Sequence, residues 1–166
     1  DARLAQLRQK QSGVDAAVER INARLANLGV HTFKITRLGP ERPLYTLERP
    51  GQGKSETRSL SEGERTLIAF LYYLELLRGA EVADVEYPIR RTIAVVDDPI
   101  SSLSHNHIYD IAALIHHELV LPAQRQTGAR QVLVFTYNLF FLHELLKQLN
   151  RDIAGAAKKC HLLRVV

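Results

Sequence analysis

The sequence contains no methionine, not even at position 1, and only one cysteine among its 166 residues. Cys160 therefore has no partner within the chain, which excludes a disulfide scaffold and a cysteine zinc finger and fits a reducing compartment. The chain also lacks a signal-peptide pattern whose removal would explain the missing methionine. We therefore expect a piece of a longer, cytoplasmic protein.

Long hydrophobic runs and a strong excess of one charge are also missing. The two most apolar stretches, 67–77 and 132–146, are interrupted by polar or charged residues and are shorter than the about 18–20 residues that span a bilayer. The formal net charge is +4 and the basic residues are scattered, so nucleic-acid binding is permitted but not required. The length and the 46% hydrophobic content are typical of one globular domain and exclude a disordered chain.

The first segment has the spacing of a coiled-coil helix that ends at Gly29. Apolar residues, with one glutamine among them, follow one another at intervals of three and four: Leu4, Leu7, Gln11, Val14, Val18, Ile21, Leu25 and Leu28. Because this seam is narrow for packing on a globular core, we predict that residues 1–29 end a coiled coil whose partner helix lies outside this sequence. The alternative is an amphipathic helix that lies on its own domain.

The rest of the chain predicts an α/β fold, with a parallel sheet and crossover helices after an initial hairpin. Pro122 and Gly128 indicate a linker between the helix 105–118 and the strand 131–135. The predicted elements are, in order, a hairpin of strands 32–38 and 44–48 around the turn 39–43, a polar loop 50–55, a helix 62–78, a loop 79–88, a buried strand 92–96, a helix 105–118, a buried strand 131–135, a helix 139–149 and a strand 161–166.

Polar residues follow two of the predicted parallel strands. Asp97 and Asp98 come after the first, and Thr136–Asn138 come after the second. Ligands bind at the carboxyl ends of such strands. Two adjacent carboxylates there suit Mg²⁺ coordination by one and proton acceptance by the other. The alternative is that the acidic pair only caps the following turn.

The segment Ser61–Glu64 begins a helix. Ser61 is a good N-cap, Glu64 completes a capping box, and Gly63 allows a ligand or another backbone to approach closely. The N-terminus of such a helix is a ready anion site. An ordinary capped helix is the alternative.

Two further patterns imitate catalytic motifs. Gly51–Ser55 resembles the end of a phosphate-binding loop, but Glu48 stands where that loop requires its first glycine. His105-Asn106-His107 has the letters of a nuclease motif without defining a metal site. We interpret these histidines, together with His116, His117 and His143, as solvated helix positions.

Taken together, the motifs resemble those of ABC-type ATPases over residues 20–166. Leu60–Glu64 resembles the signature motif, in the L-S-x-G-E form of SMC, RecF-like and double-strand-break-repair ATPases. Ile93–Pro99 resembles Walker B, Ile100–Ser104 resembles the D-loop, and Phe135–Asn138 falls where the switch-histidine motif belongs. The sequence D-D-P-I-S-S-L at positions 97–103 is similar to the corresponding sequence of the AAA_13 group, which includes the PrrC and RloC anticodon-nuclease ATPases of phage defence.

The resemblance implies that residues 30–166 form the C-terminal lobe of an ABC/SMC-like P-loop ATPase head. The N-terminal Walker A lobe would lie elsewhere in the same protein, and two heads would dimerise around ATP and Mg²⁺. The implied partner is nucleic acid, either DNA or tRNA. The implied site comprises Asp97 for Mg²⁺, Asp98 as general base, Tyr137 at the switch position, the signature residues Ser61, Glu62, Gly63 and Glu64 for the ATP of the opposite subunit, and the D-loop residues Ser102, Leu103 and Ser104.

Two departures from the family pattern bear on hydrolysis. Tyr137 replaces the switch histidine, and Ser104 replaces the aspartate that ends the D-loop. The leading hypothesis is an ATPase head that gates a repair or phage-defence activity on nucleic acid and is inactive as this chain alone. A nucleotide-gated dimerisation module with little hydrolysis is the alternative, and a coiled-coil DNA-binding protein without nucleotide use is a third hypothesis.

Overall fold

The computed structural model describes residues 2–39, 44–51, 53–55, 60–82, 92–124, 129–151 and 161–163. The chain divides into two compact units, Asp1–Gly79 and Ala80–Val166. The chain contains both helices and strands, and two of the strands pair in parallel, which confirms the predicted α/β class. The elements are α1 (Ala2–Asn27), β1 (Lys34–Arg37), β2 (Tyr45–Arg49), β3 (Gly53–Ser55), α2 (Glu62–Val82), β4 (Ile93–Asp97), a 3-10 turn (His105–His107), α3 (Ile108–Ile115), a π-helical turn (His116–Val120), α4 (Leu121–Gln124), β5 (Gln131–Phe135) and α5 (Leu139–Arg151).

Helix α1 ends at the glycine that the sequence predicts. Gly29 has φ of 76°, in the left-handed region where a side chain is costly. The N–H of Gly29 donates to the Ala26 carbonyl at 3.0 Å, and the N–H of Val30 donates to the Leu25 carbonyl at 2.9 Å. This pair of bonds is a Schellman motif, which satisfies carbonyl groups that the end of the helix would otherwise leave open.

The predicted coiled-coil seam is partly core. Ile21 and Leu25 are buried, whereas Val14 is 48% exposed. The prediction that the whole seam faces a helix outside this sequence is therefore wrong for Ile21 and Leu25, because both side chains are already covered. The side chains of residues 2–12 lie outside the described part of the chain, and a coiled coil in that region stays a prediction.

The first unit contains an antiparallel sheet in the order β1-β2-β3. Lys34 pairs with Glu48 and Arg37 with Tyr45, which confirms the predicted hairpin, although residues 40–43 of its turn lie outside the described residues. The predicted polar loop 50–55 is wrong in its last three residues, which form β3. Gly51, with φ of 78°, follows Pro50 and turns the chain back along the open edge of β2.

Polar contacts attach α1 to this sheet. The Asn22 side chain donates to the Ile35 carbonyl and accepts from the Ile35 N–H, both at 2.8 Å. The Tyr45 hydroxyl donates to Asp15 at 2.5 Å, and Arg37 lies 3.6 Å from the other carboxylate oxygen of Asp15. Burial and the hydrogen bond to Asp15 raise the pKa of Tyr45, with Arg37 opposing them. Helix and sheet are thus joined at two places, seven residues apart along α1.

The second unit contains the parallel pair β4 and β5. Ala94 and Val96 are buried on one face of β4. The opposite face carries four apolar side chains that are between 43% and 50% exposed: Ile93, Val95, Leu133 and Phe135. The prediction that both faces of these strands are buried is therefore wrong for the face that carries these four side chains. Within the described residues, only the opposite face is covered. Sheets of parallel strands normally have both faces covered.

The helix that follows β4 continues beyond its predicted end at 118. A π-helical turn, in which the Leu121 N–H donates to the His116 carbonyl, leads into α4. Pro122 therefore lies in a helix and not in the predicted linker, and Gly128 lies outside the described residues. Proline has no N–H and its ring collides with the carbonyl four residues earlier in a regular helix, so a wider turn before it relieves the clash.

The remaining predicted elements have mixed outcomes. Helix α5 confirms the helix predicted at 139–149 and extends it to Arg151. His161–Leu163 has no regular structure, so the predicted final strand is wrong in these residues. Residues 164–166 of that strand lie outside the described part of the chain. Residues 83–88 of the predicted loop and Cys160 also lie outside it. The helices in the described part of the chain are too short or too polar to span a bilayer.

Replacing Asn22 by Ala should lower the free energy of unfolding by about 1–3 kcal/mol, because two backbone groups of Ile35 lose their partner. Urea denaturation followed by circular dichroism measures this change. Glu19→Ala, at an exposed position of α1, is the matched control and should change it by less than about 0.5 kcal/mol. Equal effects of the two substitutions would contradict the role given to Asn22.

Candidate functional site

The register of the parallel pair brings the predicted strand-end residues together. Asp97, the last residue of β4, is opposite Phe135, the last residue of β5. The Asp98 N–H then donates to the Phe135 carbonyl at 2.9 Å and extends the ladder by one bond. Asp97, Asp98 and the segment Thr136–Asn138 therefore lie at the same end of the sheet, where open parallel sheets bind ligands.

Asp98 has an unusual backbone and an unsatisfied carboxylate. Its φ is 42°, and it is the one non-glycine residue with positive φ among the described residues. Its Oδ1 atom is buried and has no hydrogen-bond partner in the described part of the chain. Strained backbones and unpaired buried polar atoms concentrate at functional sites. The sequence carried little signal for this geometry beyond the tolerance of aspartate for left-handed backbone.

The predicted D-loop is a turn that leads into the 3-10 segment. The Leu103 N–H donates to the Ile100 carbonyl at 3.0 Å, and the His107 N–H donates to the Ser104 carbonyl at 3.1 Å. Ser104 is exposed and its hydroxyl does not cap the turn that it begins, whereas Ser102 and Leu103 are half-buried. The Ser104 hydroxyl thus faces solvent at the position where the family pattern has a carboxylate.

The predicted switch segment is a tight turn that starts α5. Asn138 is the N-cap, because its side-chain oxygen accepts the Phe141 N–H at 3.0 Å. Its own N–H donates to the Thr136 hydroxyl at 3.1 Å. Tyr137 lies between these two residues and is 76% exposed. The turn fixes the backbone on both sides of Tyr137, while its phenol extends into solvent.

The predicted signature residues lie in the first unit and form the expected capping box. The Glu64 N–H donates to the Ser61 hydroxyl at 3.2 Å, and the Ser61 N–H donates to the Glu64 carboxylate at 2.8 Å. Ser61 and Glu62 are exposed, and Gly63 is half-buried. The 21-residue helix α2 therefore begins at an exposed cap in which both hydrogen bonds of the capping box are formed.

Glu64 has partners that the sequence did not predict. Its carboxylate accepts from the Thr32 hydroxyl at 3.1 Å and from Arg49 of β2 at 3.4 Å. Burial raises the pKa of Glu64, but hydrogen bonds from Ser61, Thr32 and Arg49 outweigh it, so the pKa lies below its usual value. Glu64 is thus ionised near neutral pH and ties the start of α2 to the sheet.

The two patterns that imitate catalytic motifs have structural roles. Gly53–Ser55 is strand β3, so this segment is not the strand-to-helix loop that cradles phosphate. His105, His117 and His143 are exposed as predicted, but His116 is only 2% exposed, so its interpretation as a solvated position is wrong. His116 instead packs edge-on against the His117 ring, with centroids 5.2 Å apart.

Asp97 and Asp98 are suited to a hydrated divalent cation. Within the described residues, no three histidine, cysteine, aspartate or glutamate side chains are grouped to hold a metal ion by themselves. Mg²⁺ commonly uses only one or two carboxylates and completes its octahedron with water and substrate phosphates. The exposed Asp97 and the unpaired Oδ1 of Asp98 fit that requirement.

Replacing Glu64 by Gln should lower the free energy of unfolding by about 1 kcal/mol at neutral pH. Because the folded-state pKa is depressed, the ionised carboxylate stabilises the fold above the usual value of 4.5, and this contribution is lost as pH falls through the lower folded pKa. Denaturation at a series of pH values should therefore show the two stabilities converging in acid. The exposed Glu62→Gln is the control, and a deficit independent of pH would contradict the assignment.

Replacing Asp98 by Gly should raise the free energy of unfolding by about 0.5–1 kcal/mol, because relief of left-handed strain exceeds the cost of glycine flexibility. Asp97→Gly is the matched control. Asp97 is in a strand with ordinary backbone, so its replacement should lower stability by about 0.5–1 kcal/mol. Thermal denaturation measures both, and a loss of stability in Asp98→Gly would contradict the strain at Asp98.

Similarity to known proteins is found at the level of the family. A family model described as an AAA domain, AAA_13, matches residues 1–165. A solved chain from work on ATP-driven dimerisation and DNA-stimulated activation of SMC ATPases aligns over 81% of this chain and 77% of its own, with 15% identity and a TM-score of 0.47. No curated protein matches the chain. The family match spans nearly every residue, and the chain therefore belongs to the AAA_13 family of ATPase-type nucleotide-binding domains.

Proposed function

We propose that this chain is the C-terminal lobe of an ABC-type ATPase head, which dimerises around ATP and couples its hydrolysis to an activity on nucleic acid. Asp98 is the observation that carries the proposal. Its strained backbone holds a buried carboxylate oxygen without a hydrogen-bond partner among the described residues, at the ligand-binding end of a parallel pair. A water molecule that attacks phosphate would supply the missing partner, and Asp98 would accept its proton.

Asp97 has a different part in the same site. Its side chain is exposed at the end of β4, where it would hold Mg²⁺, in part through water. The bound ion would neutralise negative charge on the phosphates during transfer. Asp97 would thus orient the nucleotide, while its neighbour Asp98 handles the proton.

The start of α2 would act on the nucleotide of a second head. The first N–H groups of a helix have no acceptor within the helix, and the helix dipole favours an anion there. The capping box fixes Ser61 beside the N–H groups of Glu62 and Gly63, and leaves Ser61 and Glu62 exposed. This arrangement supports contact of Ser61 and Gly63 with a γ-phosphate that the opposite subunit holds, with Glu64 maintaining the cap.

The exposed face of the β4–β5 pair is evidence for a second lobe that would cover it. Four side chains on one face, Ile93, Val95, Leu133 and Phe135, are 43–50% exposed although parallel sheets are ordinarily covered on both faces. We propose that the Walker A lobe of the same protein covers this face and supplies the phosphate-binding loop. Each head would then be assembled from two parts of one chain, with the coiled coil between them.

We propose that the activity coupled to ATP hydrolysis acts on a nucleic acid. It is supported by the resemblance of the motifs to repair and phage-defence ATPases and is compatible with the net charge of +4. DNA and tRNA both fit this support. The neighbouring SMC structure comes from work on DNA-stimulated activation, which concerns that protein.

A dimerisation module with little hydrolysis is the second candidate function. Tyr137 is 76% exposed and stands where the family pattern has histidine, and the exposed Ser104 stands where it has aspartate. A phenol is neutral near pH 7 and has a different reach from imidazole. ATP would still close the dimer, but γ-phosphate sensing and turnover would be weak.

Replacing Asp98 by Asn in the full-length protein should lower the kcat for ATP by about 10²–10⁴-fold, because a general base is lost while the shape of the side chain is kept. A phosphate-release assay measures the rate. Asp110→Asn, at a half-buried position in the first turn of α3, is the matched control and should retain the wild-type rate. Equal background rates for wild type and Asp98→Asn would reject hydrolysis and leave the dimerisation module, which ATP-dependent sedimentation would then test.

A further inference from the structure

Glu75 is a buried carboxylate in the middle of α2. Its side chain is only 2% exposed, and it accepts hydrogen bonds from two arginines of α1. Arg20 Nε is 2.6 Å from one carboxylate oxygen, and Arg24 Nη1 is 2.8 Å from the other. Because Arg20 and Arg24 are one helical turn apart, both bonds form together only in one register of α1 against α2.

The free energy of such a triad favours a role in positioning. The pair of Glu75 and Arg24 is buried, with side chains that are 2% and 12% exposed, whereas Arg20 is 43% exposed. A buried ion pair recovers little more than its desolvation cost, and its replacement by apolar residues of similar size is often neutral or stabilising. Leu71 and Leu74, on the same helix, show that apolar side chains are accommodated in this part of α2. What the charged triad adds is a fixed register, which apolar contacts specify less strictly.

The triad belongs to a closed set of polar attachments within the first unit. Asn22 fixes α1 to β1, and Arg49 of β2 fixes the sheet to Glu64 at the start of α2. Glu75 fixes α1 to the same helix about 17 Å further along its axis. A shift of α1 relative to α2 therefore strains the contacts of Glu75 with its two arginines. Through the sheet, it also strains the contact of Arg49 with Glu64, which is part of the capping box at Ser61.

We infer that Glu75, with Arg20 and Arg24, is the positioning group that couples α1 to the signature-like turn Ser61–Glu64. This inference rests on the proposed function. The triad touches no nucleotide. It holds the N-terminus of α2 at the angle needed to engage the γ-phosphate of the opposite head.

The coupling predicts that loss of the triad lowers kcat but leaves KM unchanged. The nucleotide that a head binds is held by its own Walker A lobe, so loss of the triad leaves KM unchanged. Engagement of that nucleotide by α2 of the other head becomes less exact, which lowers kcat and ATP-dependent dimerisation. A displacement of about 1 Å in such a contact costs up to about a hundredfold in rate.

The test uses the full-length protein and an apolar replacement of the whole triad, Arg20→Met with Arg24→Met and Glu75→Leu. This variant avoids the unpaired buried charge that Glu75→Gln alone would leave on Arg24, whose side chain is 12% exposed. We expect wild-type thermal stability or better, an unchanged KM, and a kcat lowered about ten- to a hundredfold. Glu48→Gln, which breaks the exposed pair with Lys34 in the same unit, is the matched control and should leave both constants unchanged.

Each outcome is decisive. A stable triad variant with wild-type kcat and dimerisation overturns the inference and leaves the proposed function intact. A variant that loses stability, with KM and kcat changing together, assigns the triad a merely structural role and also overturns it. A wild-type protein that neither hydrolyses ATP nor dimerises with it overturns the proposed function itself.

Discussion

Parallel pairing of β4 with β5 determines where the polar residues at the carboxyl end of this strand pair lie. With Asp97 opposite Phe135, the next hydrogen bond of the ladder falls on the Asp98 N–H, and the chain leaves the sheet there. The left-handed backbone of Asp98 is the conformation in which it does so. A slip of one residue would turn both carboxylates to the opposite faces of the sheet and separate them from the Thr136–Asn138 turn.

The first unit depends on polar attachments as much as on its core. Asn22, Glu64 and Glu75 each connect two different elements through hydrogen bonds with specific geometry. Burial of apolar side chains drives these elements to associate, but it tolerates small changes in the angle between them. The polar contacts select one arrangement among them, which suits a unit whose proposed task is to present a helix N-terminus accurately.

Local features were predictable from the sequence. The Schellman end at Gly29 and the capping box of Ser61 and Glu64 each depend on residues a few positions apart, which a pattern reveals directly. The hairpin was predictable for the same reason. In the candidate site, the residue types and their common sheet end were predictable, because strand order and apolar runs indicate where parallel strands finish.

Features that depend on distant residues were not predictable. Glu75 lies 51 and 55 positions from its two arginines, and a glutamate in a helical pattern normally indicates a solvated position. The edge strand β3 exists because β2 offers an open edge, which residues 53–55 alone do not reveal. The apolar runs at 92–96 and 131–135 predicted burial without distinguishing which face this chain covers and which it leaves exposed.

The exposed face of the β4–β5 pair has a consequence for biosynthesis. An apolar sheet surface with unsatisfied strand edges is a template for self-association, and natural proteins protect such edges. Within the described residues, β4 and β5 pair only with each other. If a second lobe covers this face, as we propose, and is made at a different time, the unit that contains β4 and β5 must be kept from aggregating until that lobe is in place. Assembly of the head would then be a folding step as well as a functional one.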